Sequence, residues 1–134
     1  MEFKKNSFRI TGQISHKLLP GHGQSITLLL RHRTNNKMQI FSVNNSIFNY
    51  GFDFTIFYKE FVFDESTIGV WDVFILSDYN GYVVEKRIGS QRNGDYKNVL
   101  GKVVFSSFGQ YFSAKPYFTT PYGNLSFDTC LIEV

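Results

Sequence analysis

The run Val70-Trp71-Asp72-Val73-Phe74-Ile75-Leu76-Ser77-Asp78-Tyr79-Asn80-Gly81-Tyr82-Val83-Val84-Glu85-Lys86-Arg87-Ile88 decides the fold. Asn80-Gly81 is the preferred pair for a type I′ turn, whose two central residues both take positive φ. On either side lie runs rich in β-branched and aromatic residues, so the segment reads as a hairpin of strands over 70–78 and 82–88. In that register Val73 faces Ile88 and Ser77 faces Val84. Trp71, Val73 and Ile75 then share one buried face, because a slip of one residue would turn the whole set outward. Lys86 falls opposite Ile75 and is expected to carry its charge to the sandwich edge.

Working outward, the same grammar repeats. Phe8, Ile10 and Ile14 alternate with polar residues, with Gly12 interrupting. Residues 25–33 have an apolar centre that suits a strand covered on both faces. Asn35-Asn36 turns the chain into 37–43, and Phe52, Phe54 and Ile56 share a face against Asp53 and Thr55. Strands over 99–105, 110–119 and 124–134 complete the set. Residues 58–66 read as one helical turn or an irregular crossover, and 89–98 as a mobile polar loop. The 15 Phe, 8 Tyr and 1 Trp, against the single alanine Ala114, favour pleated surfaces over helices. A chain of 134 residues makes one domain, 1–134, and buries enough surface to fold without metal or disulfide. The expectation is an all-β antiparallel sandwich of eight or nine strands.

Composition and motifs also exclude chemistry. Cys130 is the lone cysteine, so no internal disulfide forms, which fits a reducing compartment. Residues 1–6 have no apolar core of the kind a signal peptide needs, so none is expected there, and Ile26–Leu30 is far too short to span a bilayer. The formal charge of +3 favours anionic partners only mildly and lacks the dense basic stripe of a nucleic-acid binder. His16, His22 and His32 have no zinc-site spacing and read as surface or edge residues, so neither metal nor cofactor is expected. Cys130, beside Leu131 and Ile132, reads as an inert buried thiol. Asp53, Asp72 and Asp128 lie mid-strand, where they face solvent or pair with Arg87 or nearby lysines, and no two stand out as a catalytic pair. Gly21-His22-Gly23 reads as a plain turn, because a strand follows it where a phosphate-binding loop needs a helix. No catalytic residue is expected.

Two features point to binding. Arg31, Arg33, Arg87, Arg92 and Lys115, with Tyr79, Tyr82, Tyr111 and Tyr117 near them, combine paired donors for phosphate with aromatic faces for sugar. Of the tyrosines, Tyr79, Tyr82 and Tyr117 are the ligand-binding candidates. In addition, Phe74 and Leu76 point away from the Trp71 face, with Val83 close by. That outward apolar surface calls for a covering loop or another chain.

Several segments in order carry a family resemblance. They are Leu18-Leu19-Pro20-Gly21-His22-Gly23, Leu28-Leu29-Leu30-Arg31-His32-Arg33, Gly69-Val70-Trp71-Asp72-Val73-Phe74, Lys86-Arg87-Ile88-Gly89, and Tyr117-Phe118-Thr119-Thr120-Pro121-Tyr122-Gly123-Asn124-Leu125-Ser126. The series resembles the immunoglobulin-like C-terminal accessory modules of TarS-like poly(ribitol phosphate) N-acetylglucosaminyltransferases and related teichoic-acid polymer transferases. The resemblance implies an immunoglobulin-like, non-catalytic module of a cell-wall glycosyltransferase, at the cytoplasmic face of the membrane and attached to it at most peripherally through the parent enzyme. It implies a homo-oligomer, a trimer in that family, or contact with a neighbouring catalytic domain. It also implies binding of teichoic-acid polymer or carbohydrate, and no nucleic acid. Whether the chain is a fragment or a stand-alone copy stays open. A free-standing carbohydrate-binding module with an aromatic platform is the alternative reading.

Overall fold

The computed structural model describes residues 1–13, 24–42, 51–79, 82–89 and 101–133. Among these residues ten strands occur: β1 (Glu2–Phe3), β2 (Ser7–Gln13), β3 (Gln24–His32), β4 (Met38–Ser42), β5 (Gly51–Phe57), β6 (Gly69–Tyr79), β7 (Tyr82–Arg87), β8 (Val103–Ser107), β9 (Gln110–Phe118) and β10 (Leu125–Ile132). The short β1, paired to β2, is the strand that exceeds the expected count. Of the two readings of residues 58–66, the segment is the crossover and not a single helical turn. Two 3-10 turns, Tyr58–Glu60 and Glu65–Thr67, carry the chain from one sheet to the other.

All strand pairings are antiparallel, in two sheets ordered β1-β2-β5 and β4-β3-β6-β10-β9-β8, with β7 attached to β6. Alternation along each strand divides the side chains between a core face and an outer face. From the small sheet Phe8, Ile10, Phe54 and Ile56 point inward, and from the large one Leu28, Leu30, Trp71, Val73, Phe112 and Phe127 meet them. The corner after β5 adds Tyr58, Phe61 and Val62 to the same core. Aromatic rings dominate the centre: Phe8 lies 4.6 Å from Phe127, and Phe61 meets Trp71 edge-on at 5.6 Å. The single alanine, Ala114, is wholly buried on β9. Pro116, two residues on, stands opposite Phe127 of β10 and lies past the last residue that β8 pairs with.

The hairpin register matches the sequence reading. Ser77 faces Val84 and Ile75 faces Lys86, while the Ile88 N–H donates to the Val73 carbonyl at 3.1 Å. Trp71 and Val73 are fully buried, Ile75 nearly so, and Lys86 reaches solvent at the sheet edge. The Asn80-Gly81 turn itself, the 89–98 loop beyond Gly89, and the His16 and His22 segment lie outside the described residues.

Two single-residue readings are corrected. His32 is buried at 4% exposure, not a surface histidine, because it shares the inner face of β3 with Leu28 and Leu30 and pairs with Trp71. Its Nδ1 accepts the N–H groups of Thr34 and Asn35 at 3.2 Å each, so the proton sits on Nε2, which donates to the Ile68 carbonyl at 2.6 Å. Cys130 is exposed, not packed in the core. Phe127 and Thr129 take the inner face of β10, so Cys130 falls on the outer one opposite Ser113.

Candidate functional site

One edge of β6 is shared by two strands in succession. Gly69–Asp72 pairs with β10 and Phe74–Tyr79 pairs with β7, with Val73 at the handover. There the Leu125 N–H donates to the Ile88 carbonyl at 2.7 Å, joining the two strands end to end. Such a junction leaves backbone carbonyls and polar side chains short of partners on the outer face, and Arg87 supplies donors to them. Its Nη2 lies 3.2 Å from the Leu125 carbonyl, the Ser126 hydroxyl and Asp72 Oδ1.

Asp72 anchors the site. Its Oδ1 accepts from Arg33 Nη2 at 2.7 Å and from the Ser126 hydroxyl at 2.6 Å, and Oδ2 accepts from Arg33 Nε at 3.2 Å. Burial opposes the carboxylate's charge. The hydrogen bonds from Arg33 and Ser126 and the charges of Arg87 and Arg33 outweigh it and hold Asp72 below the usual carboxylate range. Asp72 in turn raises Arg33, and the nearby Tyr117 adds to the effect. Tyr117 stands opposite Ser126 in the β9–β10 register, and Lys115 stands opposite Asp128 two pairs further on.

The Phe74 ring lies beside this cluster with the Arg31 and Arg87 guanidiniums over it, at 4.8 and 5.0 Å from its centre. Arg31 is also paired with Glu85 at 2.8 Å. The outward apolar surface read from the sequence is therefore partly roofed by cations: Phe74 and Leu76 are half-buried, while Val83 is 59% exposed. The outer face has further apolar exposure at β4, the edge strand among the described residues, where Met38 and Ile40 stand out into solvent.

Of the candidate ligand-binding residues, Arg31, Arg33, Arg87 and Tyr117 come together around Asp72, and Lys115 shares their face. Tyr79 and Tyr82 pair with each other at the far end of the hairpin, seven positions along β6 from Asp72, roughly 20 Å away at strand rise. Arg92 lies outside the described residues. The sequence reading left open what Asp72 faces and did not single out Ser126. The alternation that turns Trp71 and Phe127 inward puts both on the outer face, but only the β6–β10 register makes them partners. The cluster sets three guanidiniums against two carboxylates, a constellation suited to holding an anion. Elsewhere, Glu65, Cys130 and Glu133 line a broad depression of about 590 Å³, where both glutamates are solvated. Among the described residues no group of His, Cys, Asp and Glu is arranged to hold a metal ion.

Residues 1–129 match the family model described as TarS beta-glycosyltransferase C-terminal domain 1. The chain belongs to this family. It is 38% identical over 133 residues to a poly(ribitol-phosphate) beta-glucosyltransferase of Bacillus spizizenii, a match covering 96% of this chain and 20% of that enzyme. The chain thus spans about a fifth of the length of the curated relative it matches. Two crystal structures of S. aureus TarS, one of them residues 217–571, superpose with TM-scores of 0.81 over 99% of this chain at 19% identity. The match covers 37% of the shorter and 24% of the longer of those chains, and it establishes the fold. No helix among the described residues is long and apolar enough to cross a membrane.

Proposed function

We propose that this domain is a non-catalytic accessory module of a teichoic-acid glycosyltransferase that holds the anionic polymer close to the parent enzyme and brings copies of that enzyme together. The observation that supports polymer retention is the clustering of Arg31, Arg33, Arg87 and Tyr117 on one exposed sheet face, with Lys115 beside them. A phosphodiester takes bidentate donors from arginine, and the Tyr117 ring offers a surface to the polyol between phosphates. Each contact is weak because Asp72 and Glu85 already occupy the guanidiniums, so retention depends on repetition along the polymer and across linked copies. The exposed Val83, Met38 and Ile40 on the same sheet supply apolar area for contact between copies or with the parent's catalytic domain. The relative's poly(ribitol phosphate) is the polymer to test, at the inner membrane face where such a parent enzyme works.

Titration of the chain with poly(ribitol phosphate) at low and high salt tests retention. The expected result is saturable binding at low ionic strength that weakens as screening shortens the range of the arginine charges. No binding at low salt ends the polymer part of the reading. Sedimentation of the isolated chain at high concentration tests assembly, and a strict monomer removes it.

A further inference from the structure

We propose that the seam between the two sheets, where β5 ends beside the edge strand β8, is a separate subsite that binds a single anionic sugar or polyol unit. It is a cleft of about 250 Å³ lined by Asn6, Phe57, Lys59, Phe105 and Ser106. That is the space of about eight waters at roughly 30 Å³ each, and it falls below the ~300 Å³ at which pockets for larger ligands begin. The cleft fits one ring and not a chain of them.

The corner builds the cleft from the backbone up. β5 ends at Phe57, whose N–H donates to Glu60 Oε2 at 2.9 Å, and the Tyr58 N–H donates to the Asn6 carbonyl at 3.0 Å. This tight turn sends Tyr58 into the core and leaves its two neighbours outside, with Phe57 45% exposed and Lys59 in solvent. Tyr58 packs on Phe105 of β8 at 5.7 Å between ring centres, which fixes the inner wall. Among the described residues β8 pairs with β9 alone, and its outer edge and the exposed Ser106 border the other side.

The chemistry of the lining selects the ligand. Phe57 offers a phenyl surface to the apolar face of a sugar ring. The Asn6 amide, the Ser106 hydroxyl and the Lys59 ammonium have no intramolecular partner among the described residues, so they are available to hydroxyls and to one negative charge. No carboxylate lines the cleft, and the adjacent Glu60 is turned to the Phe57 N–H. The Arg31, Arg33 and Arg87 guanidiniums on the outer face are all engaged by acidic residues, whereas Lys59 is not. At the same corner the buried Tyr58 hydroxyl has no hydrogen-bond partner among the described residues.

The test is a titration of the isotopically labelled chain with glucose 6-phosphate, glucose and inorganic phosphate, followed by backbone amide shifts. Glucose 6-phosphate is expected to move residues 6, 57–60 and 105–106 saturably in the millimolar range, with glucose and phosphate each at least about fivefold weaker. Phe57→Ala and Lys59→Gln each lower affinity by about fivefold or more, while the unfolding midpoint stays at the wild-type value. The proposal is overturned by the absence of saturable shifts up to about 50 mM, by shifts confined to the arginine face, or by phosphate binding as tightly as the sugar phosphate. Failure here leaves polymer binding at the arginine face intact, since that is read with poly(ribitol phosphate) and variants on the other sheet face.

Discussion

Arg87 and Asp72 meet at the point where β6 passes from one neighbouring strand to the next, with Nη2 of the arginine 3.2 Å from the carboxylate. The pair closes a break in the sheet, and Arg33 and Ser126 complete it. Replacing Asp72 by Asn leaves two guanidiniums facing each other and is expected to cost about 1–3 kcal/mol near neutral pH. The pH dependence has a definite sign. A carboxyl whose folded-state value is depressed contributes stability above its unfolded value, near pH 4, and loses that contribution as pH falls through the depressed folded value. Urea unfolding at about pH 7 and about pH 3 should therefore show a large gap between wild type and Asp72→Asn at the higher pH and a smaller one at the lower. An equal gap at both would mean that the Asp72 charge does not hold the junction.

Gly69 stands against the buried imidazole of His32. A Cβ at Gly69 would lie 2.6 Å from His32 Nε2, and Gly69 has φ of +129°, where L residues rarely go. Substitution breaks two things at once, the backbone conformation and the His32 contact to the Ile68 carbonyl. Gly69→Ala is expected to destabilise by at least about 2 kcal/mol, read as a shift of the urea midpoint at unchanged slope. A shift within error of zero would show that the chain relaxes at this corner and that His32 does not constrain it.

The hairpin was legible because it rests on local information: a two-residue turn and a period-two pattern that only one register satisfies. The same alternation places Asp72 outside once Trp71 is inside. What local pattern does not carry is which residues of distant strands come opposite each other. Arg33, Asp72 and Ser126 lie far apart in sequence, and only the β3–β6–β10 pairing makes them neighbours. Two single positions also misled. His32 read as a surface or edge residue, and Leu131 and Ile132 beside Cys130 pointed to the core. In both cases strand alternation decides the face, as Leu30 and Thr129 show. At 58–66 the sequence left a helical turn and a crossover both open, because two short 3-10 turns carry no periodic signal.

Cys130 gives a direct check on the outer face of β10. An exposed thiol reacts without unfolding, whereas a buried one reacts only when the chain opens. Under native conditions at mildly alkaline pH, Ellman's reagent is expected to titrate one thiol per chain at a rate that added urea below the unfolding transition does not change. Acceleration in step with unfolding would place Cys130 back in the core.

Glu85 offers a gain-of-function test of the arginine face. It holds Arg31 at 2.8 Å, with both side chains more than a third exposed, so the pair adds little to stability, about 0–1 kcal/mol. Its larger effect is on charge: Glu85 competes with any phosphate for the same guanidinium, and Arg31 also lies over the Phe74 ring. Glu85→Gln keeps the size of the side chain and removes the competitor. Affinity for poly(ribitol phosphate) at low salt is expected to rise about two- to fivefold, with the urea midpoint nearly unchanged. Arg31→Ala should move affinity in the opposite direction, and the double variant should match Arg31→Ala, since Glu85 acts only through Arg31. If Glu85→Gln raises affinity equally in the Arg31→Ala background, the glutamate works through the general charge of the face, and Arg31 is not a contact for the polymer.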